Sequence, residues 1–99
     1  MIQNFRTYGL AVQFYRRGPA IEAPAHLKDQ LQRAASSIVL NLAEGSAKPT
    51  KKDRMRYYAI AFGSVREVQA LSDLLTFDKS TNESLDHLAA CTYKLVYKQ

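Results

Sequence analysis

Apolar residues along this chain recur at spacings of three and four, the period of an α-helix with one face turned inward. Over residues 4–17, Phe5, Tyr8, Val12 and Tyr15 keep that spacing. Leu10, Ala11 and Phe14 widen the arc beyond what one core face needs. Over residues 25–44, Leu27, Leu31, Ala34, Ala35, Ile38 and Leu42 form a cleaner stripe, with Leu40 on the far side of the helical wheel. A third stretch, residues 51–77, carries Tyr58, Ala61, Val65, Val68 and Leu75. Its small residues Ala59, Ala61, Gly63 and Ser64 would admit a close helix neighbour. The last stretch, residues 82–97, carries Leu85, Leu88, Ala89, Thr92, Leu95 and Val96, broadened by Cys91 and Tyr93. No segment alternates with period two for long enough to suggest a strand.

The breaks between these stretches have their own chemistry. Gly18-Pro19 and Pro24 interrupt the chain after the first helix, and proline suits the opening turn of the second. Gly45 follows the last periodic residue of that helix and is expected to cap it in the left-handed conformation. Pro49 holds Lys48 out of helical geometry, and Thr50 to Asp53 reads as a variant capping box that opens the third helix. Asp78 to Asn82 is a polar turn ahead of the fourth. Four helices with short connections predict an all-α fold, an up-down-up-down antiparallel four-helix bundle forming one domain over residues 1–99. The wide apolar arcs of the first, third and fourth helices exceed what a lone bundle buries, which predicts a homo-oligomer.

Composition narrows the class. No apolar run approaches the roughly 18 residues of a membrane span, and the N-terminus shows no apolar signal core. The single cysteine, Cys91, leaves no internal disulfide, and it and two distant histidines do not make a zinc site. A cytoplasmic protein held by apolar packing, with no membrane partner, is expected. Fourteen Lys and Arg against nine Asp and Glu give a net charge of +5, a balance that suits nucleic-acid binders.

That charge is concentrated. Lys48, Lys51, Lys52, Arg54 and Arg56 surround the start of the third helix, with Asp53 among them. Helix N-termini present free amides and the positive end of the dipole, where phosphates bind. Tyr57 and Tyr58 follow directly; Tyr58 belongs to the core stripe and Tyr57 is freer to stack on a base. Arg16 and Arg17 close the first helix, and Lys28 and Arg33 add charge on the second. An antiparallel bundle places these at the opposite end from residues 48–56, so a single copy should show two basic zones. Catalytic chemistry is harder to build. His26 and His87 lack a carboxylate or nucleophile at a dyad spacing, Cys91 flanks an apolar stripe, and Ala43 to Lys48 lacks the glycines of a phosphate loop. Glu44, placed against the dipole at a helix C-terminus, points to a specific ion-pair partner: Arg33, Lys48 or a neighbouring subunit.

The second helix also carries a recognisable pattern. Asn41-Leu42-Ala43-Glu44-Gly45, the basic turn from Lys48 to Lys52, and Ala61-Phe62-Gly63-Ser64 with Glu67 together resemble the signature of a bacterial four-helix-bundle family. That family is named for reading frames in intervening sequences of large-subunit ribosomal RNA. Tyr8 to Tyr15 is similar to its first helix, so the likeness covers nearly the whole chain. The connection from Gly18 to Pro24 and the short final helix ending at Gln99 depart from its pattern. The resemblance implies a four-helix bundle that forms rings, typically pentamers, with no enzyme activity and no cofactor. The family is also similar to the accessory variability protein of diversity-generating retroelements, a basic pentameric bundle that binds nucleic acid and a reverse transcriptase. Two readings follow. The first is a non-catalytic oligomer that binds RNA or DNA through phosphate, with a reverse transcriptase as a further partner. The second is a protein-interaction scaffold whose charge is incidental. Asn41, Glu44, Gly45, Gly63, Ser64 and Leu40 are the expected structural or oligomer-forming positions.

Overall fold

In the computed structural model of the chain, residues 5–98 are described. They form α1 (Arg6–Arg17), a 3-10 turn (Gly18–Ala20), α2 (Ala25–Ser46), α3 (Lys51–Leu74) and α4 (Lys79–Tyr97). The expected start of the first helix at Asn4 lies outside the described residues. Each helix packs against its neighbours in the order α1, α2, α3, α4 and back to α1, the arrangement of an up-down-up-down bundle. The α2–α3 pairing is the most extensive. The stripes read from the sequence meet at the centre. Leu31, Ile38, Leu42, Val65, Val68 and Leu88 are sealed from solvent with Phe14, and full burial of such a side chain stabilises by about 1.5–3 kcal/mol.

The helix ends differ from the sequence expectation in three places. Gly45 is not a left-handed cap: no described glycine has positive φ, and α2 continues through Gly45 to Ser46. Glycine is required there by close approach. A Cβ on Gly45 would sit 2.8 Å from Tyr58 Cε1 and 3.0 Å from Tyr57 Cβ. α3 stops at Leu74, short of residue 77, because residues 75–78 turn Phe77 into the core, its ring 6.4 Å from that of Phe14. α4 starts at Lys79, earlier than residue 82, because Asp78 is its N-cap. Its carboxylate accepts the Thr81 amide at 2.7 Å, so most of the polar run read as a turn is helix. The Thr50 cap stands as read, its hydroxyl accepting the Asp53 amide at 3.2 Å.

Gly63 also differs from expectation. It is exposed, and a Cβ there would meet nothing within 4 Å. α3 faces α2 with Ala61, Ser64 and Val65, so the close approach expected at Gly63 is absent within one copy.

Candidate nucleic-acid interface

The basic cluster of the sequence lies at the tip where α2 hands over to α3, and the fold divides its five cations into two kinds. Three are engaged. Lys48 pairs with Glu44 at 3.1 Å and lies 5.1 Å from the Tyr57 ring centroid. Its pKa is raised, first by the hydrogen bond to Glu44 and then by Tyr57. Arg54 donates to the carbonyls of Lys48 and Pro49, each at 3.2 Å, and so ties the turn to α3. Arg56 approaches Asp53 at 4.0 Å. Lys51 and Lys52 are exposed on the first turn of α3 and have no ion-pair partner among the described residues. They sit where the first helical amides lack intrahelical acceptors and the dipole is positive.

The same sorting removes the second basic zone. Arg33 bonds Asp29 at 2.6 Å. Lys28 is spent on the connection after α1, donating to the carbonyls of Pro19 at 3.0 Å and Ile21 at 2.7 Å. Arg17 lines a recess with Glu22 and Asp78. The Asp78 carboxyl is held below its usual pKa chiefly by the Thr81 amide, with Arg17 adding a smaller push. Arg16 is exposed at the edge of an apolar groove formed by Val12, Tyr15, Val39 and Leu40.

Cutting each helix at its own midpoint shows the pattern for the whole molecule. The half containing the α2–α3 tip holds eight Lys and Arg but only two carboxylates, Glu44 and Asp53. The other half holds six Lys and Arg against seven Asp and Glu. The net positive charge of the chain therefore resides at one end of the bundle, not at two.

The motif positions behave as packing devices. Asn41 donates to the Ser37 carbonyl at 2.9 Å and to its hydroxyl at 3.1 Å, and the Ser37 hydroxyl meets that of Ser64 at 2.8 Å. Asn41, Ser37 and Ser64 thus form one polar bridge across the α2–α3 seam. Ser37 was not singled out from the sequence, although it stands four residues before Asn41 on the same helix face. Glu44 meets Lys48, one of its three expected partners. Gly45 lies under Tyr58, whose hydroxyl pKa is raised by burial. Leu40 stays 66% exposed.

A further feature was also missed. Phe62, Tyr93 and Tyr97 cluster on the outer face of α3 and α4, although an aromatic pair four apart on α4 is a readable signal. The Phe62 ring meets each tyrosine edge-on, with centroids 6.0 and 5.9 Å away, and the tyrosines lie 4.8 Å from one another.

Other reactive groups are scattered. His87 Nε2 lies 2.9 Å from an Arg6 guanidinium nitrogen, His26 is exposed at the start of α2, and Cys91 is half-buried. No group of three or more His, Cys, Asp or Glu among the described residues could hold a metal ion. No described helix is long and apolar enough to cross a membrane. No curated protein and no solved structure matches the chain. The Ser37–Ser64 bridge and the Gly45 contact both fall within residues 6–96, which match the family model described as 23S rRNA-intervening sequence protein, and the chain belongs to that family.

Proposed function

We propose that this protein is a non-catalytic, self-associating RNA-binding protein that holds phosphate at the α2–α3 tip. The observation that carries this reading is the pair Lys51 and Lys52, exposed on the first turn of α3 without an ion-pair partner among the described residues, at the end of the bundle where the charge excess resides. A phosphate there meets two free ammonium groups and a helix N-terminus together. The family description names a ribosomal RNA intervening sequence, which makes RNA the first ligand to test, with DNA of equal length as the comparison. Self-association is supported by Leu40, Ile60 and Leu74, exposed at 66%, 52% and 69%, more apolar surface than a lone small bundle should show to water. In a ring, repeated tips would form a cationic belt that binds one RNA at several points.

The test is sedimentation of the protein with labelled single-stranded RNA at roughly 50 and 200 mM salt, because phosphate contacts weaken steeply over that range. Wild type should bind at low salt and release at high salt. The K51E/K52E variant should bind at least about tenfold more weakly, since each reversed lysine removes a phosphate contact, while its helical circular dichroism stays unchanged. Equal affinity in the two proteins would refute the tip as the binding site. Arg54 is left intact in this variant because its guanidinium holds the turn carbonyls.

The same exposed apolar residues favour a second reading, a scaffold for another protein. Association that ignores RNA and strengthens with salt would select it.

A further inference from the structure

Resting on the RNA-binding reading, we propose that Phe62, Tyr93 and Tyr97 form a base-stacking platform for single-stranded RNA, reached along α3 from the cationic tip. Three observations meet at this face. The first is the rings themselves. Tyr93 and Tyr97 are 44% and 59% exposed, and Phe62 buttresses both edge-on, so their outer faces are held open to solvent. Neither tyrosine hydroxyl is hydrogen-bonded among the described residues. Stacking on such rings tolerates any base, since every base has a π-face.

The second is charge. α3 has no carboxylate between Asp53 and Glu67, and α4 has none after Asp86. Lys94 and Lys98 are exposed beside the two tyrosines, and neither has an ion-pair partner among the described residues. A platform of rings inside a cationic field is how proteins hold single strands without reading sequence. A second copy is a poor occupant. Two of these faces brought together would oppose like charges, and the apolar groove between α1 and α2 ends on Arg16, again a cation.

The third is position. α4 ends at the same end of the bundle at which α3 begins, because the two run antiparallel. Lys52 and Phe62 are ten residues apart on α3, about 15 Å at the helical rise. A strand whose phosphate sits on Lys51 and Lys52 can therefore lay a nearby base on the platform. The sequence pointed to Tyr57 for stacking. Tyr57 is half-buried and occupied by Lys48, whereas Tyr93 and Tyr97 are exposed.

The experiment compares two probes of equal length, an oligouridylate and its abasic ribose-phosphate chain, against wild type, Y93A/Y97A, Y93F/Y97F and K51E/K52E. The chain has no tryptophan and six tyrosines, so the part of the tyrosine quenching that Y93A/Y97A loses reports stacking on these two rings. Wild type should bind the oligouridylate about tenfold or more tightly than the abasic chain, with quenched tyrosine emission, as base–aromatic stacking requires. Y93A/Y97A should bind both probes equally, and Y93F/Y97F should keep the preference. K51E/K52E should lose affinity for both probes alike. Equal binding of the two probes by wild type overturns the platform while leaving the phosphate tip in place. A Y93A/Y97A variant that sediments as a smaller species yet retains the preference for bases also overturns it, and makes the face a contact between copies. Failure of wild type to bind either probe removes the RNA-binding reading itself, and the platform with it.

Discussion

The two ends of the bundle are built from similar numbers of cations and end up electrostatically unlike. At the α2–α3 tip, Lys51 and Lys52 have no carboxylate partner among the described residues, while Lys48 and Arg54 fasten the turn that presents them. At the other end Arg33 meets Asp29, Arg17 shares a recess with Glu22 and Asp78, and Lys28 ties down the α1–α2 connection. Exposed pairs of this kind add little stability. Their consequence is for the field the molecule presents, since a cation beside a carboxylate attracts phosphate weakly. The lesson is that clusters of basic residues gain meaning only after the acids that fold against them are counted.

The sharpest way to break this comparison is to reverse charge at each end in turn. K51E/K52E should cost RNA affinity at least about tenfold, whereas R16E/R17E should change it by less than about twofold, because screening confines each charge to its own neighbourhood. Equal losses, read from binding curves at one salt concentration, would dissolve the distinction between the ends.

Next in size is the packing beneath the tip. Gly45→Ala drives a methyl into Tyr57 and Tyr58 and should destabilise by about 1–2 kcal/mol, overpacking outweighing the helix propensity regained. Gly63→Ala, over open space, should instead stabilise by about 0.5–1 kcal/mol. Chemical denaturation of the pair gives the sign of each. Loss of stability in the Gly63 variant would show that a second copy packs against that position.

The caps at the two ends give smaller effects with different pH behaviour. Thr50→Ala at the tip should cost about 1 kcal/mol, and at every pH, because a hydroxyl cap does not titrate. Asp78 caps α4 at the far end as a carboxylate whose folded pKa is depressed below 3.8. Its contribution is present above the unfolded value and is lost as pH falls through the lower folded one. Amide protection factors at the start of α4, taken relative to the intrinsic exchange rate at each pH, should therefore fall on acidification below about pH 4, while the start of α3 loses no cap. Matching acid dependence in the two helices, or its persistence in Asp78→Asn, would contradict that assignment.

Much of this was legible in the chain. The stripe from Leu27 to Leu42 and the Thr50 cap needed only local spacing, because helix faces and caps are settled by neighbours three and four residues away. Asp78 as a cap was equally local. It was read instead as part of a turn, since Lys79 to Asn82 are polar and could belong to either. The motif around Asn41, taken together with the basic turn from Lys48 to Lys52 and the segment from Ala61 to Glu67, was enough to suggest the family. Its mechanical meaning was not visible, because Ser64 lies 27 residues from Ser37 and only the α2–α3 seam brings them together.

By itself, then, the sequence determined four amphipathic helices, their order, their breaks and the location of a basic turn, because each depends on interactions within a few residues. Tertiary structure decided which glycine is crowded and which is free, that Ser37, held by Asn41, meets Ser64 across two helices, and that Phe62 joins Tyr93 and Tyr97. It also decided which cations are left to face solvent. Those outcomes depend on distances between residues far apart in the chain, and packing and charge pairing act through space, not along it.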